Sequence, residues 1–416
     1  MNVLLIGSGG REHALAWKIK QSPQLGRLFA IPGSAAMKNL ADCPAISQDD
    51  FEAISEFCGA NKIELVVVGP EAPLAKGISD FLSEKGIKVF GPSQKGAMLE
   101  ASKQFAKEFM YRNSIPTAAF TVLYDAALAR EKIKEDKRYP VVIKADGLAA
   151  GKGVRICANE GAALEAVADF MERRIFGASG SKVVMEEFLT GREASVIALV
   201  DGESFFMLPV SRDHKRLRDG DEGPNTGGMG AVCPVELEPA GLELIKKEVL
   251  QRFVDGIKKE QIPFCGVLFA GLIFTPGGPK VLEFNCRFGD PETQSIMPLV
   301  AGDLLQMLKA CADKDLSGRK LEISRKTCVS VVLASGGYPE NPEKGKEITG
   351  LYKVPAGALV FHAGTVKKDD GYVTGGGRVL SVTATGDSVE EARQKAYAAV
   401  EKINFEGMQY RKDIGL

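Results

Sequence analysis

The chain has 416 residues, of which 45% are hydrophobic and 26% charged, with 53 Lys and Arg against 54 Asp and Glu. At roughly 100–200 residues per domain this is a globular protein of two to four domains. A net charge of −1 lacks the basic excess of a duplex-binding domain, so no nucleic-acid partner is expected; no apolar run approaches the ~20 residues of a membrane span.

The opening MNVLLIGSGGREH has neither the charged nor the long apolar region of a secretion signal. The eight cysteines are scattered without a CxxC pair, so reduced thiols and a cytoplasmic location are expected. His13, His214 and His362 lack zinc-ligand spacing.

In chain order, an apolar run at 2–6 ends in Gly7-Ser8-Gly9-Gly10, and a helical pattern follows over 12–20. Further short runs at 28–31, 65–68 and 89–90 end in Pro-Gly or Gly-Pro, with helical stretches between them. Alternation of this kind predicts a doubly wound parallel sheet, with ligands beyond the carboxyl ends of its strands. The dinucleotide fingerprint fails twice: Glu12 stands where its third glycine belongs, and Pro32-Gly33-Ser34 replaces the ribose-binding acid. The turn then reads as a phosphate-sized anion site or as a tight turn without a ligand. Glu71, in a Pro-bounded loop, suits a sugar hydroxyl or an amine, or is plain loop.

The middle begins with a helix over 103–113, broken at Ile115-Pro116-Thr117. Strand-like runs follow at 141–144, 183–187, 195–200, 266–274 and 281–285. The run that carries Lys144 leads into a small-residue loop ending Gly151-Lys152-Gly153. Such a loop lets backbone amides approach phosphates, although Gly153 rules out a Walker A motif. Glu186-Glu187-Phe188-Leu189 offers an apolar seat for adenine, and Glu193 an acceptor for ribose hydroxyls; an ordinary acidic strand end is the alternative. A charged stretch from Ser211 through Asp213 to Asp221 runs into Asn225-Thr226-Gly227-Gly228, a polar loop suited to ligand contact. Glu283 and Asn285 share a strand face and are oxygen ligands of the kind hard Mg2+ prefers. Arg287 follows on the same parity and suits charge on a transferring phosphoryl group. The tail restarts at 327–334, and an S-x-x-E capping box at Ser388–Glu391 opens a helix to about 403. It reads as a small α+β domain. The hinges are expected near Ile115 and Gly337.

The ordered set from Lys144 to Arg287 resembles the ATP-grasp superfamily. The segments GSGGREHA, GPEAPL, DHKR…GPNTGGMGA and EFNCRFGDPE resemble the phosphoribosylamine–glycine ligase (glycinamide ribonucleotide synthetase) family in particular, over nearly the whole chain. The resemblance implies a Rossmann-like substrate-binding domain over 1–102, an ATP-grasp domain over 103–325 with a mobile lid at about 122–190, and a C-terminal α+β domain over 326–416. It implies ATP phosphates at Lys107, Lys144, Gly151, Lys152 and Gly153, adenine at Glu186, Glu187, Phe188 and Leu189, and ribose at Glu193. Glu283 and Asn285 would hold Mg2+ or Mn2+. Asp213, Asn225, Thr226 and Gly227 would face glycine and the amine, and Gly9, Gly33 and Glu71 would face 5-phosphoribosylamine. The catalytic set would be Arg287, Lys144 and Asp213, acting through a glycyl phosphate. The assembly expected is a monomer in transient contact with the enzyme that supplies phosphoribosylamine. The family often has Asn where Ser34 stands, which weakens a side-chain contact there. Another ATP-grasp ligase would share the ATP and metal motifs without the N-terminal loops. A non-catalytic nucleotide-binding module would not need Lys144, Glu283, Asn285 and Arg287 together.

Overall fold

The computed structural model describes residues 1–149 and 152–416. Its N-terminal sheet has four parallel strands in the order Leu28–Pro32, Asn2–Gly7, Ile63–Val68, Val89–Phe90. Each strand is the apolar run read from the sequence, with side chains buried on both faces, as a parallel sheet between helices requires. The helices Gly10–Ile19, Phe51–Ala60 and Ile78–Glu84 connect these strands. Asp50 caps the second of them by accepting from the Ala53 N–H.

The middle of the chain makes two antiparallel sheets. The first orders Phe120–Leu123, Val183–Glu187, Val141–Ala145 and Val154–Cys157. With the helices Ala126–Glu135 and Glu160–Val167 it buries a core of its own, drawn only from residues between Leu123 and Met185. A unit with a separate core can move as one body, which is what a lid needs. The second sheet orders Phe205–Met207, Arg192–Val200, Gly266–Thr275 and Gly278–Asn285. One face of it shares a core with the N-terminal sheet through Ile197, Leu199, Val267 and Phe269.

The last sheet has five strands: Arg212–Asp213, Gly230–Cys233, Thr327–Ala334, Arg378–Gly386 and Ala358–His362. Two of them come from the middle of the chain, so this sheet crosses the boundary drawn near residue 325. Gly230 pairs with Val331 and Cys233 with Cys328. The helix Val389–Val400 packs on the sheet, and Ser388 caps it by accepting from the Glu391 N–H. All eight cysteines are free, six of them buried. Among the described residues no helix is long and apolar enough to cross a membrane.

Candidate active site

The first glycine-rich turn is occupied by the protein itself. Glu12 folds back beneath it, and its Oε2 accepts from the Gly9 N–H at 2.7 Å. A side chain at Gly7 or Gly69 would collide with Glu12, so both positions must be glycine for this carboxylate to fit. Arg11 pairs with Glu12 at 2.6 Å and donates to the Phe288 carbonyl. The Gly9 N–H is therefore already satisfied by a carboxylate of the protein itself.

Between the sheet of residues 120–187 and the second central sheet lies a cavity of about 870 Å³. It collects residues from every part of the chain. Lys107 comes from the helix Lys103–Arg112, Lys144 from the strand Val141–Ala145, and Glu186 from the strand beside it. Glu186 is buried between the lysines, with Oε2 at 2.8 Å from Lys107 Nζ and Oε1 at 2.9 Å from Lys144 Nζ. Its carboxylate thus faces the two cations, so contact with a ring falls to its neighbours. Burial and the adjacent Lys144 push Lys107 down to about 8. Two cations around one anion leave an excess positive charge facing the cavity, suited to a phosphate chain.

Phe188, Leu189, Val142, Val154, Ile156 and Phe284 give the cavity an apolar lining of the kind a planar base needs, and Glu193 lines it as well. Glu187 also lines the cavity, its carboxylate accepting from the Ala119 N–H and pairing with Lys280 at 2.9 Å. Gly153 lines the cavity, Gly151 lies outside the described residues, and Lys152 Nζ donates to the Pro339 carbonyl at 3.0 Å.

Opposite, the strand Gly278–Asn285 carries a bulge. Gly271 faces Glu283 and Leu272 faces Val281, so Leu282 is the extra residue. Its carbonyl is free of the ladder and accepts from Lys144 Nζ at 3.0 Å. Glu283 and Asn285, past the bulge, both line the cavity. Burial works against the charge of Glu283, but Lys215, Lys144, Lys103 and Arg287 together hold its carboxyl below the usual range. An ionised carboxylate and an amide oxygen fit a hard divalent cation that takes its other ligands from phosphate and water. Among the described residues there is no cluster of three or more His, Cys, Asp or Glu that would cage a metal without help.

Arg287 lies between Glu71 and Glu100, at 3.3 and 3.0 Å. Burial opposes ionisation of Glu71, while Arg287 and Arg11 pull its carboxyl below the ordinary range. Glu71 and Arg11 face the cavity, whereas Gly9 and Gly33 are not among its lining residues.

Asp213, Asn225, Thr226 and Gly227 line the remaining wall. Asp213 Oδ1 is buried without a hydrogen-bond partner. Burial and the neighbouring Glu292 push the Asp213 carboxyl well above its usual range, and burial pushes Glu292 up as well. An orphaned acceptor between a second carboxyl and Lys215 is a place for an ammonium or amine group. Gly228 has φ +109°, and a side chain there would strike Asp213 and Pro291. Arg378, on a strand of the last sheet, holds this turn by donating to the carbonyls of Gly227 at 2.5 Å and Asp290 at 2.7 Å. The Tyr338 hydroxyl accepts from the Gly227 N–H.

The cavity thus brings together most of the residues singled out in the middle of the chain, Lys152 excepted and Gly151 outside the described residues, together with Glu71, and adds Arg11, Glu100, Lys103, Lys215, Glu292 and Arg378. Arg11, Lys215 and Glu292 sit inside motifs already noted. Glu100, Lys103 and Arg378 are isolated charges with no local signal, recruited by the fold.

Three family models match in sequence order: the phosphoribosylglycinamide synthetase N domain over residues 1–100, its ATP-grasp (A) domain over 101–293 and its C domain over 328–416. The chain is 48% identical to a phosphoribosylamine–glycine ligase of Caldanaerobacter subterraneus subsp. tengcongensis, over 100% of this chain and 99% of that protein. It is 47% identical to the Homo sapiens trifunctional purine biosynthetic protein adenosine-3, over 99% of this chain and 41% of that longer protein. A crystal structure of phosphoribosylamine–glycine ligase from Thermotoga maritima matches with a TM-score of 0.87 at 40% identity, covering 100% of both chains. The biotin carboxylase domain of a Hydrogenobacter thermophilus 2-oxoglutarate carboxylase, in complex with MgADP, shares the fold with a TM-score of 0.74 at 18% identity, over 98% of this chain and 91% of that one.

Proposed function

The chain belongs to the phosphoribosylglycinamide synthetase family, and from that premise we propose that its cavity joins the carboxylate of glycine to the amine of 5-phosphoribosylamine while ATP is cleaved to ADP and phosphate. It is an ATP-dependent carboxylate–amine ligase of purine biosynthesis. The observation that carries the site assignment is the meeting, in one cavity, of the Lys107–Glu186–Lys144 cluster, the Glu283–Asn285 strand end and the Asp213 wall.

Lys107 and Lys144 hold the ATP phosphates, and the apolar wall at Phe188 and Leu189 seats adenine beside Glu193. Glu283 and Asn285 would hold Mg2+ or Mn2+, which when bound would neutralise phosphate charge. Glycine lies with its ammonium toward Asp213 and Glu292 and its carboxylate in line with the γ-phosphate. Transfer of that phosphoryl group gives glycyl phosphate, and Arg287 stabilises the charge it carries. The amine of phosphoribosylamine, held near Glu71 and the Asn225–Gly227 turn, attacks the acyl carbon and expels phosphate. The protein's contribution is positioning and charge neutralisation, and the lid excludes the water that would hydrolyse the acyl phosphate. The reading places the enzyme in the cytoplasm as a monomer that meets the supplier of its unstable amine.

The test is phosphate release from ATP–Mg2+ with glycine and freshly generated phosphoribosylamine, each substrate being omitted in turn. Release that requires both, with glycine preferred over alanine, is expected. Release indifferent to either would overturn this substrate pair and leave the fold standing.

A further inference from the structure

A hairpin of strands Arg216–Arg218 and Glu222–Asn225 leads directly into the Asn225–Gly227 turn of the cavity. Its tip, residues 219–223, is exposed and contributes no side chain to a hydrophobic core. A segment of that kind frays unless something polar fixes it. Asp221 at the tip has φ +55°, a conformation that ordinarily needs support from its surroundings.

The support comes from nearly two hundred residues away. Arg411 is 2% exposed, the largest fully buried side chain in the molecule. Its Nε and Nη2 bind both carboxylate oxygens of Asp413, at 2.7 and 2.6 Å. Its Nη1 donates to Asp221 Oδ1 at 2.6 Å and to the Arg216 carbonyl at 3.3 Å. Four bonds thus engage a guanidinium that has five N–H donors. Asp413 Oδ2 also accepts from the Gly220 N–H at 2.8 Å, and the Lys412 N–H donates to Asp219 Oδ1 at 2.7 Å. Behind them the Tyr397 hydroxyl donates to the Arg411 carbonyl at 2.7 Å and accepts from the Ile414 N–H. The helix Val389–Val400, the 411–413 segment, the hairpin and the turn therefore form one hydrogen-bonded path, along which Arg411, Asp413 and Asp221 also border the cavity.

We propose that Arg411, with Asp413, is a positioning residue that clasps the 216–225 hairpin and so sets the turn that receives glycine and the amine. The inference rests on the substrate assignment given above, and it concerns these two substrates rather than ATP. Arg411 forks onto both oxygens of Asp413 while its third nitrogen reaches Asp221, an arrangement that lysine does not reproduce.

The test compares wild type, R411M, R411K, Asp221→Ala and the R411M/Asp221→Ala double variant. The expected result for R411M and Asp221→Ala is a rise in KM for glycine or the amine on the order of 10–100-fold, the scale of a small misplacement of a reacting group. ATP–Mg2+ affinity, read by calorimetry, stays within about twofold, because the lysine cluster is untouched. Amide exchange across residues 217–225 accelerates. R411K does not restore the KM. The double variant is no worse than R411M alone, because both changes break one contact. Asp221 is 72% exposed, so its removal leaves every core intact and keeps the question answerable if R411M does not fold. Unchanged KM values with unchanged exchange in Asp221→Ala would overturn the clasp, as would an equal loss of ATP affinity. Wild type that ignores glycine and the amine would instead overturn the substrate assignment, and the exchange data would still decide the clasp.

Discussion

Two glycine-rich turns look alike in sequence and do opposite work. The turn at Gly7–Gly10 has its space filled by Glu12, and its glycines exist to let that carboxylate in. The turn at Gly227–Gly228 is held from behind by Arg378 and Tyr338, and its front faces the cavity across the unpartnered Asp213 Oδ1. In one turn a carboxylate of the protein fills the space beside the glycines; in the other a buried acceptor is left without a partner. What separates them is whether the polar groups around the glycines already have partners.

The contrast can be broken by substitution, because cavity-side changes should cost turnover and the first turn should cost stability. The largest effect is expected from Glu283→Ala, with turnover down on the order of a thousandfold and an unchanged circular dichroism spectrum. Near-normal turnover would remove the metal assignment. Next comes Glu12→Ala, which strands the buried Arg11 and should lower unfolding free energy by about 3 kcal/mol in a urea titration. If its stability were normal and its turnover lost, the first turn would be a ligand site after all. Gly228→Ala should lower kcat/KM for glycine about 100-fold with little change in the ATP–Mg2+ dissociation constant, since the added methyl displaces Asp213.

A pH dependence tests the buried histidines, which lie outside the contrast of the two turns. Burial holds His13, His214 and His362 down to about 4. In the unfolded chain they take up protons near 6.5, so between pH 6.5 and 4 the unfolded state binds more protons. Stability should therefore be fully present above pH 6.5 and fall as pH drops toward 4, by up to about 1.4 kcal/mol per pH unit for each histidine. His362→Gln should flatten that slope without altering turnover at neutral pH.

Much of this was legible in the residues. Apolar runs separated by helical stretches suggested a parallel sheet at the N-terminus, and that sheet followed them strand by strand, whereas the runs at 141–145 and 183–187 pair antiparallel. Alternation along the strand Gly278–Asn285 placed Glu283 and Asn285 together because both lie past the bulge. The bulge itself had no signal, since an extra residue is defined only against its partner strand. Nor could Glu12 be read as the filler of its own turn, because Gly69, which completes that pocket, approaches only when the sheet forms. Arg378 and Arg411 act at positions more than 150 residues away in sequence, and lone arginines carry no periodicity or motif.

The strand Gly230–Cys233 lies on Thr327–Ala334, although these segments match different family models. The exposed Arg325 and Lys326 stand just before the second of those strands. A protease that cut there would sever the covalent thread without separating the pieces, because a ladder and a common core still join them. The family models divide the chain where the folded molecule does not, and the final part, matched on its own, still supplies Arg378 and Arg411 to the wall of the cavity.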